Sequence, residues 1–175
     1  MFSDPVKNIE KCGIQVGQDI ADLGSGSGHY SIASAKALMS TGRVYAIDAQ
    51  KDMLSRLKNQ AIKEGLYNIE VIWGNIEKIN GTKLRDSSVD LALLCNVLFQ
   101  AENKMDLIKE TKRILKPAGR VLLVDWEDSF GGIGPKKSMV VKKEKAKDIF
   151  EKNGFHIDRE INAGSHHYGL ILKKL

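Results

Sequence analysis

The stretch Ile20-Ala21-Asp22-Leu23-Gly24-Ser25-Gly26-Ser27-Gly28 constrains the fold more than any other part of the chain. A short apolar run enters it and a helix-compatible run from Tyr30 to Met39 leaves it, so it reads as strand, glycine turn and helix start. Glycine at alternate positions lets the backbone take positive φ and approach a ligand with no Cβ in the way. The helix start beyond it offers unpaired N–H groups and the positive end of a dipole, which suits an anionic or polar head group. The spacing departs from the dinucleotide fingerprint G-x-G-x-x-G: Gly24 and Gly26 fit its first two positions, but the third falls on His29 and the glycine stands at Gly28. Asp22, two residues before the first glycine, would oppose a pyrophosphate and favour a cationic ligand.

The rest of the chain alternates in the same way. Pro5 suits a first helical turn and Gly13 a stop, which predicts a short helix over about 4–12. Arg43–Asp48 is a β-branched and aromatic run ending in an acid, and Lys51–Glu64 carries the amphipathic stripe Met53, Leu54, Leu57 and Ala61. Asn68–Trp73 predicts a third strand. Val89–Asn96 is almost continuously apolar, as a central parallel strand covered on both faces requires. Lys104–Leu115 predicts a helix with Met105, Ile108, Lys112 and Leu115 at helical spacing, followed by a turn at Lys116-Pro117-Ala118-Gly119 and a fifth strand through Trp126. The glycine-rich segment Phe130–Pro135 reads as a mobile cover, Lys142–Asn153 as a helix, and about 155–173 as a closing hairpin. Right-handed crossovers make the first five strands a parallel sheet with helices on both faces, and the hairpin makes the last strand antiparallel.

A chain of 175 residues is long enough for one domain with a proper core. No apolar run approaches the ~20 residues that span a bilayer, and Met1-Phe2-Ser3-Asp4-Pro5 lacks a signal-like apolar segment; the expectation is a cytoplasmic protein. Cys12 and Cys95 form no disulfide framework or metal-binding pattern, so no metal is expected. The net charge of +5 invites a nucleic-acid reading. Much of the excess lies in Lys136, Lys137, Lys142, Lys143, Lys145 and Lys147 without interleaved aromatics, which reads better as a solvated face.

The acid two residues before alternating glycines resembles motif I of the class I S-adenosylmethionine-dependent methyltransferases, and Arg113–Leu122 resembles that family's R-x-L-K-P-G-G signature with Ala118 in place of the first glycine. The likeness runs over about residues 14–175, close to the small single-domain type that includes the ubiquinone/menaquinone C-methyltransferases. It implies one domain over 1–175 with a Rossmann-like, doubly wound α/β fold: a mostly parallel seven-stranded sheet, order 3-2-1-4-5-7-6, the last strand antiparallel, and helices on both faces. It also implies S-adenosylmethionine as cofactor, with S-adenosylhomocysteine as product. The carriers are expected to be Asp22, Gly24, Ser25, Gly26 and Gly28 at the turn, and Asp48, with Ala49 and Met53 beside it, at the ribose and adenine. Asn75 and Ile76 complete the adenine end, and Asn96 lies between methyl group and acceptor. The family's usual Gly-Asp at the third strand is Gly74-Asn75 here, and an amide still donates and accepts.

Topology directs strand ends and the hairpin turn to one edge, so His167, His166, Asp125, Glu127 and Tyr168 are candidates for a general base. Because adjacent strand residues face opposite sides, only one of the two histidines is expected to contribute. The expected function is methyl transfer to a small-molecule acceptor. RNA methylation and a non-catalytic S-adenosylmethionine-binding module are the alternatives. The first lacks an Asn-Pro-Pro-Tyr end to strand four, and the second has nothing degraded at the cofactor positions to support it. An NAD-dependent oxidoreductase fails on Gly28 against His29.

Overall fold

In the computed structural model, residues 3–175 are described; Met1 and Phe2, part of the N-terminal stretch read above, lie outside them. The strands are β1 (Asp19–Leu23), β2 (Arg43–Asp48), β3 (Ile69–Trp73), β4 (Val89–Cys95), β5 (Leu115–Trp126), β6 (Phe155–Asn162) and β7 (His167–Lys174). The helices are α1 (Pro5–Lys11), α2 (His29–Ala37), α3 (Lys51–Lys63), α4 (Lys104–Ile114) and α5 (Lys143–Lys152). The strands form one sheet in the order β3-β2-β1-β4-β5-β7-β6. Pairing is parallel from β3 to β5, and β7 runs antiparallel to both β5 and β6. This is the class I methyltransferase order expected from the sequence.

The apolar run of β4 explains why it sits at the centre. Leu91 and Leu93 enter one core layer while Ala92 and Leu94 enter the other. β5 alternates likewise, with Leu122 and Val124 opposite Val121 and Leu123. One layer is closed by Ile9 of α1 with Cys12 just after it, and by Tyr30 and Leu38 at α2; the other by Leu107, Ile108 and Ile114 of α4 and by Ala146 and Phe150 of α5. A sheet buried on both faces needs this double alternation, which leaves its two ends for polar chemistry.

Two expectations change. The buried face of α4 carries Leu107, Ile108, Thr111 and Ile114, whereas Met105 is 44% exposed; α4 is turned so that its stripe starts two residues later than Met105. The Lys116–Gly119 turn is a bulge inside β5: Leu115 pairs with Val89, Ala118 takes φ +59°, and pairing resumes at Arg120 with Leu91. The bulge is tied to β4 by Lys116, whose Nζ lies 2.8 Å from Asp90 Oδ2. Among the described residues no helix is long and apolar enough to cross a membrane.

Candidate functional site

The glycine turn sits where strand order reverses, between β1 and its neighbours β2 and β4, at their carboxyl ends. Open α/β sheets bind ligands at that point. A Cβ at Gly24 would come within 2.8 Å of Val97 Cγ2, whereas at Gly26 it would meet nothing within 4 Å. Gly24 therefore packs against the loop after β4, and Gly26 opens to space. Gly28, at φ +83°, is the N-cap of α2 and admits the Leu57 side chain of α3.

Two carboxylates stand behind this turn. Asp48 accepts hydrogen bonds from the Gly26 N–H at Oδ2 and from the Gln50 N–H at Oδ1, both at 2.8 Å. It fixes the turn and the start of α3 together. Asp22 is 3% exposed and accepts from Ser31 Oγ at 2.6 Å. Burial lifts its pKa to about 6; the Ser31 hydroxyl opposes the rise and the Asp48 charge adds to it. A cation brought near would lower it again.

In front of the turn lies a cleft of 670 Å³. Gly24–Ser27 form its floor, His29 and Tyr30 of α2 one wall, and Cys95, Asn96 and Gln100 the opposite one. Trp126, His167 and Ile133 close the far side, and Ser3 and Pro5 border it from the N-terminal segment. Among these lining residues there is no Lys, Arg, Asp or Glu. The Ser25 hydroxyl is buried there without a hydrogen-bond partner. A second cleft of 350 Å³ lies beside the first at the β2 and β3 ends, lined by Ala49, Trp73, Gly74, Asn75, Gly81 and Lys83.

Of the residues expected from sequence, Gly24, Ser25, Gly26, Asn96 and His167 share the large cleft, and Ala49 and Asn75 share the second. Asn75 Oδ1 accepts from the Glu77 N–H at 2.9 Å. Ile76 bridges toward the turn, its Cδ1 3.4 Å from where a Gly24 Cβ would stand. Asp22, Gly28, Asp48 and Met53 line neither cleft.

The candidate bases separate. His167 faces the cleft, while its neighbour His166 turns away at φ +64°, pairs with Asp128 at 2.7 Å and stacks on Phe130. Asp125 points to the other face of β5, fully buried. It accepts from the backbone N–H of Trp126 at 2.7 Å and of Phe99 at 3.1 Å, so it holds the loop that follows Asn96. Burial lifts its pKa to about 6, against those two amides. Tyr168 pairs with Asp125 across the strands and lies in the same core layer, with burial pushing its hydroxyl up. Glu127 follows β5, outside the lining of the cleft. Cys95 does reach the cleft, but burial, with the Asp22 charge, pushes its thiol up, which keeps it from serving as a thiolate.

Tyr30 went unnoticed in the sequence. Its hydroxyl joins Ser3 Oγ at 2.9 Å and Asn8 Nδ2 at 3.0 Å, tying α1 and the segment before it to the cleft wall. Position two of the helix that follows a glycine turn was the available signal. In the basic stretch before β6, Lys143 and Lys147 both reach Glu160, and Lys142 donates to the Glu127 carbonyl. Ile133 borders the cleft and Gly134 packs against the Trp126 ring, so the glycine-rich segment lies over the site. Among the described residues no three His, Cys, Asp or Glu gather as a metal site would need.

Comparison with known proteins gives one consistent match. A family model described as a methyltransferase domain matches residues 14–162. The crystal structure of a SAM dependent methyltransferase from Aquifex aeolicus is 27% identical with TM-score 0.89, over 99% of this chain and 91% of that one. A demethylmenaquinone methyltransferase from Oceanobacillus iheyensis is 26% identical over 67% of this chain and 48% of its own length. An arsenite methyltransferase from Halobacterium salinarum is 29% identical over 62% of this chain and 27% of its own length. This chain spans about half or less of the length of these curated relatives.

Proposed function

Since the chain belongs to the methyltransferase-domain family, we propose that its 175 residues work as one domain that transfers a methyl group from S-adenosylmethionine to a small-molecule acceptor. The observation that carries this reading is the turn itself. Gly26 is open, Gly24 is too close to Val97 for any side chain, and the Ser25 hydroxyl is buried unpaired at a strand-order switch point. An unpaired buried hydroxyl is costly, and a polar ligand seated on the turn would satisfy it.

The unpaired Ser25 hydroxyl and the open Gly26 support this cofactor, and the roles that follow are assigned on that basis. Ser25 and Gly26 would hold its amino-acid end, with the Asp22 charge behind them. Asp48 would meet the ribose hydroxyls with acceptor capacity left after its two amide bonds. Ala49, Met53, Asn75 and Ile76 would surround the adenine, Gly28 would keep α3 close behind the turn, and Asn96 would face the acceptor. When bound, the cofactor supplies an electrophilic methyl group on a sulfonium. The chain's own part is to orient the reactants and exclude water. Asp125 holds the β4 loop, and Tyr30 and the glycine-rich segment narrow the approach.

A small, uncharged acceptor is favoured over nucleic acid because the large cleft offers no cation for a phosphate. Methyl-labelled S-adenosylmethionine incubated with lysate and then separated into RNA, protein, lipid and small-molecule fractions tests this. Label in the small-molecule fraction, absent with Asp48→Ala, is the expected result. Label confined to RNA contradicts it, and cofactor binding with no label in any fraction favours a binding module.

A further inference from the structure

The segment between β5 and α5 presents apolar side chains to solvent where a water-facing loop would place polar ones. Phe130 is 44% exposed, Ile133 53% and Met139 40%. The backbone builds this display. The Ile133 N–H donates to the Phe130 carbonyl at 2.7 Å across a tight turn whose central residues, Gly131 and Gly132, take φ +50° and +77°. Positive φ at both centres is the conformation of a two-residue hairpin turn, which side chains resist. Gly134 then lies against the Trp126 ring, where a Cβ would come within 2.7 Å of it. The turn is therefore seated on the cleft wall with Phe130 and Ile133 at its two ends. A single 3₁₀ turn, Lys137–Met139, follows, closed by the Met139 N–H on the Lys136 carbonyl at 2.8 Å. It gathers Lys136, Lys137 and Met139 in one exposed stretch.

The charges beside these residues have one sign. From 129 to 143 the chain carries Lys136, Lys137, Lys142 and Lys143 and no Asp or Glu. The acids at its borders are engaged: Asp128 by His166, Glu144 by Lys147, and Glu160 by Lys143 and Lys147. Lys136, Lys137, Lys142 and Lys145 are exposed and make no ion pair among the described residues. Lys142 donates to the neutral Glu127 carbonyl, which leaves its charge uncompensated. Exposed apolar groups that cluster mark an interaction surface. Apolar tips among lysines fit an anionic bilayer surface. The tips enter the acyl boundary, the lysine stems lie along it, and the ammonium groups reach the head groups. Nucleic acid fits less well, because base binding draws on open aromatic rings. The one ring between 129 and 143, Phe130, is already stacked on His166 at 4.1 Å.

We propose that the segment 129–143 docks this protein on an anionic lipid surface, with Ile133 and Met139 inserted and Lys136 and Lys137 set against lipid phosphates. Ile133 also lines the large cleft, so the docked segment brings that cleft to the lipid surface. The proposal concerns where the protein works, and it stands whether or not the cleft transfers a methyl group.

Co-sedimentation of the full chain with vesicles tests it. One set contains phosphatidylglycerol and phosphatidylcholine in equal parts, the other phosphatidylcholine alone. The expected result is partition onto the anionic set, weakened by added salt, and little onto the neutral one. Lys136→Glu with Lys137→Glu should lower that partition by ~25-fold or more. Ile133→Ser with Met139→Ser should lower it by ~10-fold. Two controls match these changes elsewhere: Lys58→Glu with Lys63→Glu on exposed positions of α3, and Val16→Ser before β1, at the opposite edge of the sheet. Both should leave partition as in the wild type, and circular dichroism checks that every variant is folded. No partition onto anionic vesicles overturns the proposal. An equal loss from the α3 pair overturns it by showing that net charge alone is read, and undiminished partition of the serine variant overturns the insertion. Binding to single-stranded RNA with none to vesicles overturns it in favour of a nucleic-acid surface.

Discussion

Two regions of the molecule bury carboxylates and treat them in opposite ways. At the carboxyl edge of the sheet, Asp22 and Asp125 are lifted to about 6 because burial outweighs the few donors they have. Under the connection from β3 to β4, Glu110 of α4 is also buried, and burial alone would raise it. There the hydrogen bonds from Arg113, from the Thr82 hydroxyl at 2.6 Å and from the Asn80 N–H at 2.8 Å win and hold it below the usual carboxylate range. Arg113 also reaches the Leu84 carbonyl at 2.9 Å, so this cluster fastens the whole connection to α4. The scaffold carboxylate is satisfied by the protein. The edge carboxylates are held at a cost, and for Asp22 the cationic cofactor proposed above would supply the missing partner.

The largest effect that separates the regions is expected from Glu110→Ala. It leaves two backbone amides without their acceptor and Arg113 without its buried carboxylate, and should lower stability by about 3–5 kcal/mol, read by urea unfolding, while the folded fraction binds S-adenosylhomocysteine as before. Its folded pKa is depressed, so the stability it contributes is present above the unfolded value of ~4.3 and is lost as pH falls through the folded one. Weakened ligand binding by the folded variant would erase the distinction between the regions.

Asp22 and Asp125 carry the opposite sign. Their folded pKa values of about 6 lie above the unfolded value. The stability they contribute is therefore fully present below ~3.9 and is lost as pH rises to about 6, of order 1–3 kcal/mol for each group. Asp22→Asn should flatten its share of that loss in urea titrations at pH 5 and pH 7.5. In the wild type, S-adenosylmethionine affinity should rise as pH passes 6, and calorimetry on Asp22→Asn should show that rise gone. A pH-independent wild type would mean that the cation never meets Asp22.

Replacing Asp48 by Ala removes the acceptor of two backbone N–H groups and should weaken S-adenosylhomocysteine binding about tenfold or more, which is ~1.4 kcal/mol. The smallest effect is expected from Arg43→Ala. Its exposed pair with Glu70, at 3.2 Å, should change stability by less than ~1 kcal/mol.

Much of this division is legible in the sequence, and the failures share a cause. β2 is found over Arg43–Asp48 as the run of branched residues and its terminal acid predict. The run Leu91–Leu94 announces a strand covered on both faces. What the pattern leaves open is phase. Alternation says that Asp125 and Trp126 face opposite ways, but only the register with β7 turns Trp126 and His167 to the cleft and Asp125 and Tyr168 to the core. The same holds for α4, where helical spacing is right and the buried stripe is displaced from Met105. The Ser3–Tyr30–Asn8 cluster depends on α1 packing against α2, a contact with no local sequence signature.

The most direct single measurement is calorimetric titration of S-adenosylhomocysteine into the wild-type protein and Asp48→Ala at pH 7.5. One-to-one binding by the wild type, weakened at least ~10-fold in the variant, is the expected result. No binding by the wild type, or equal affinity in both, would contradict a cofactor seat built from the glycine turn and Asp48.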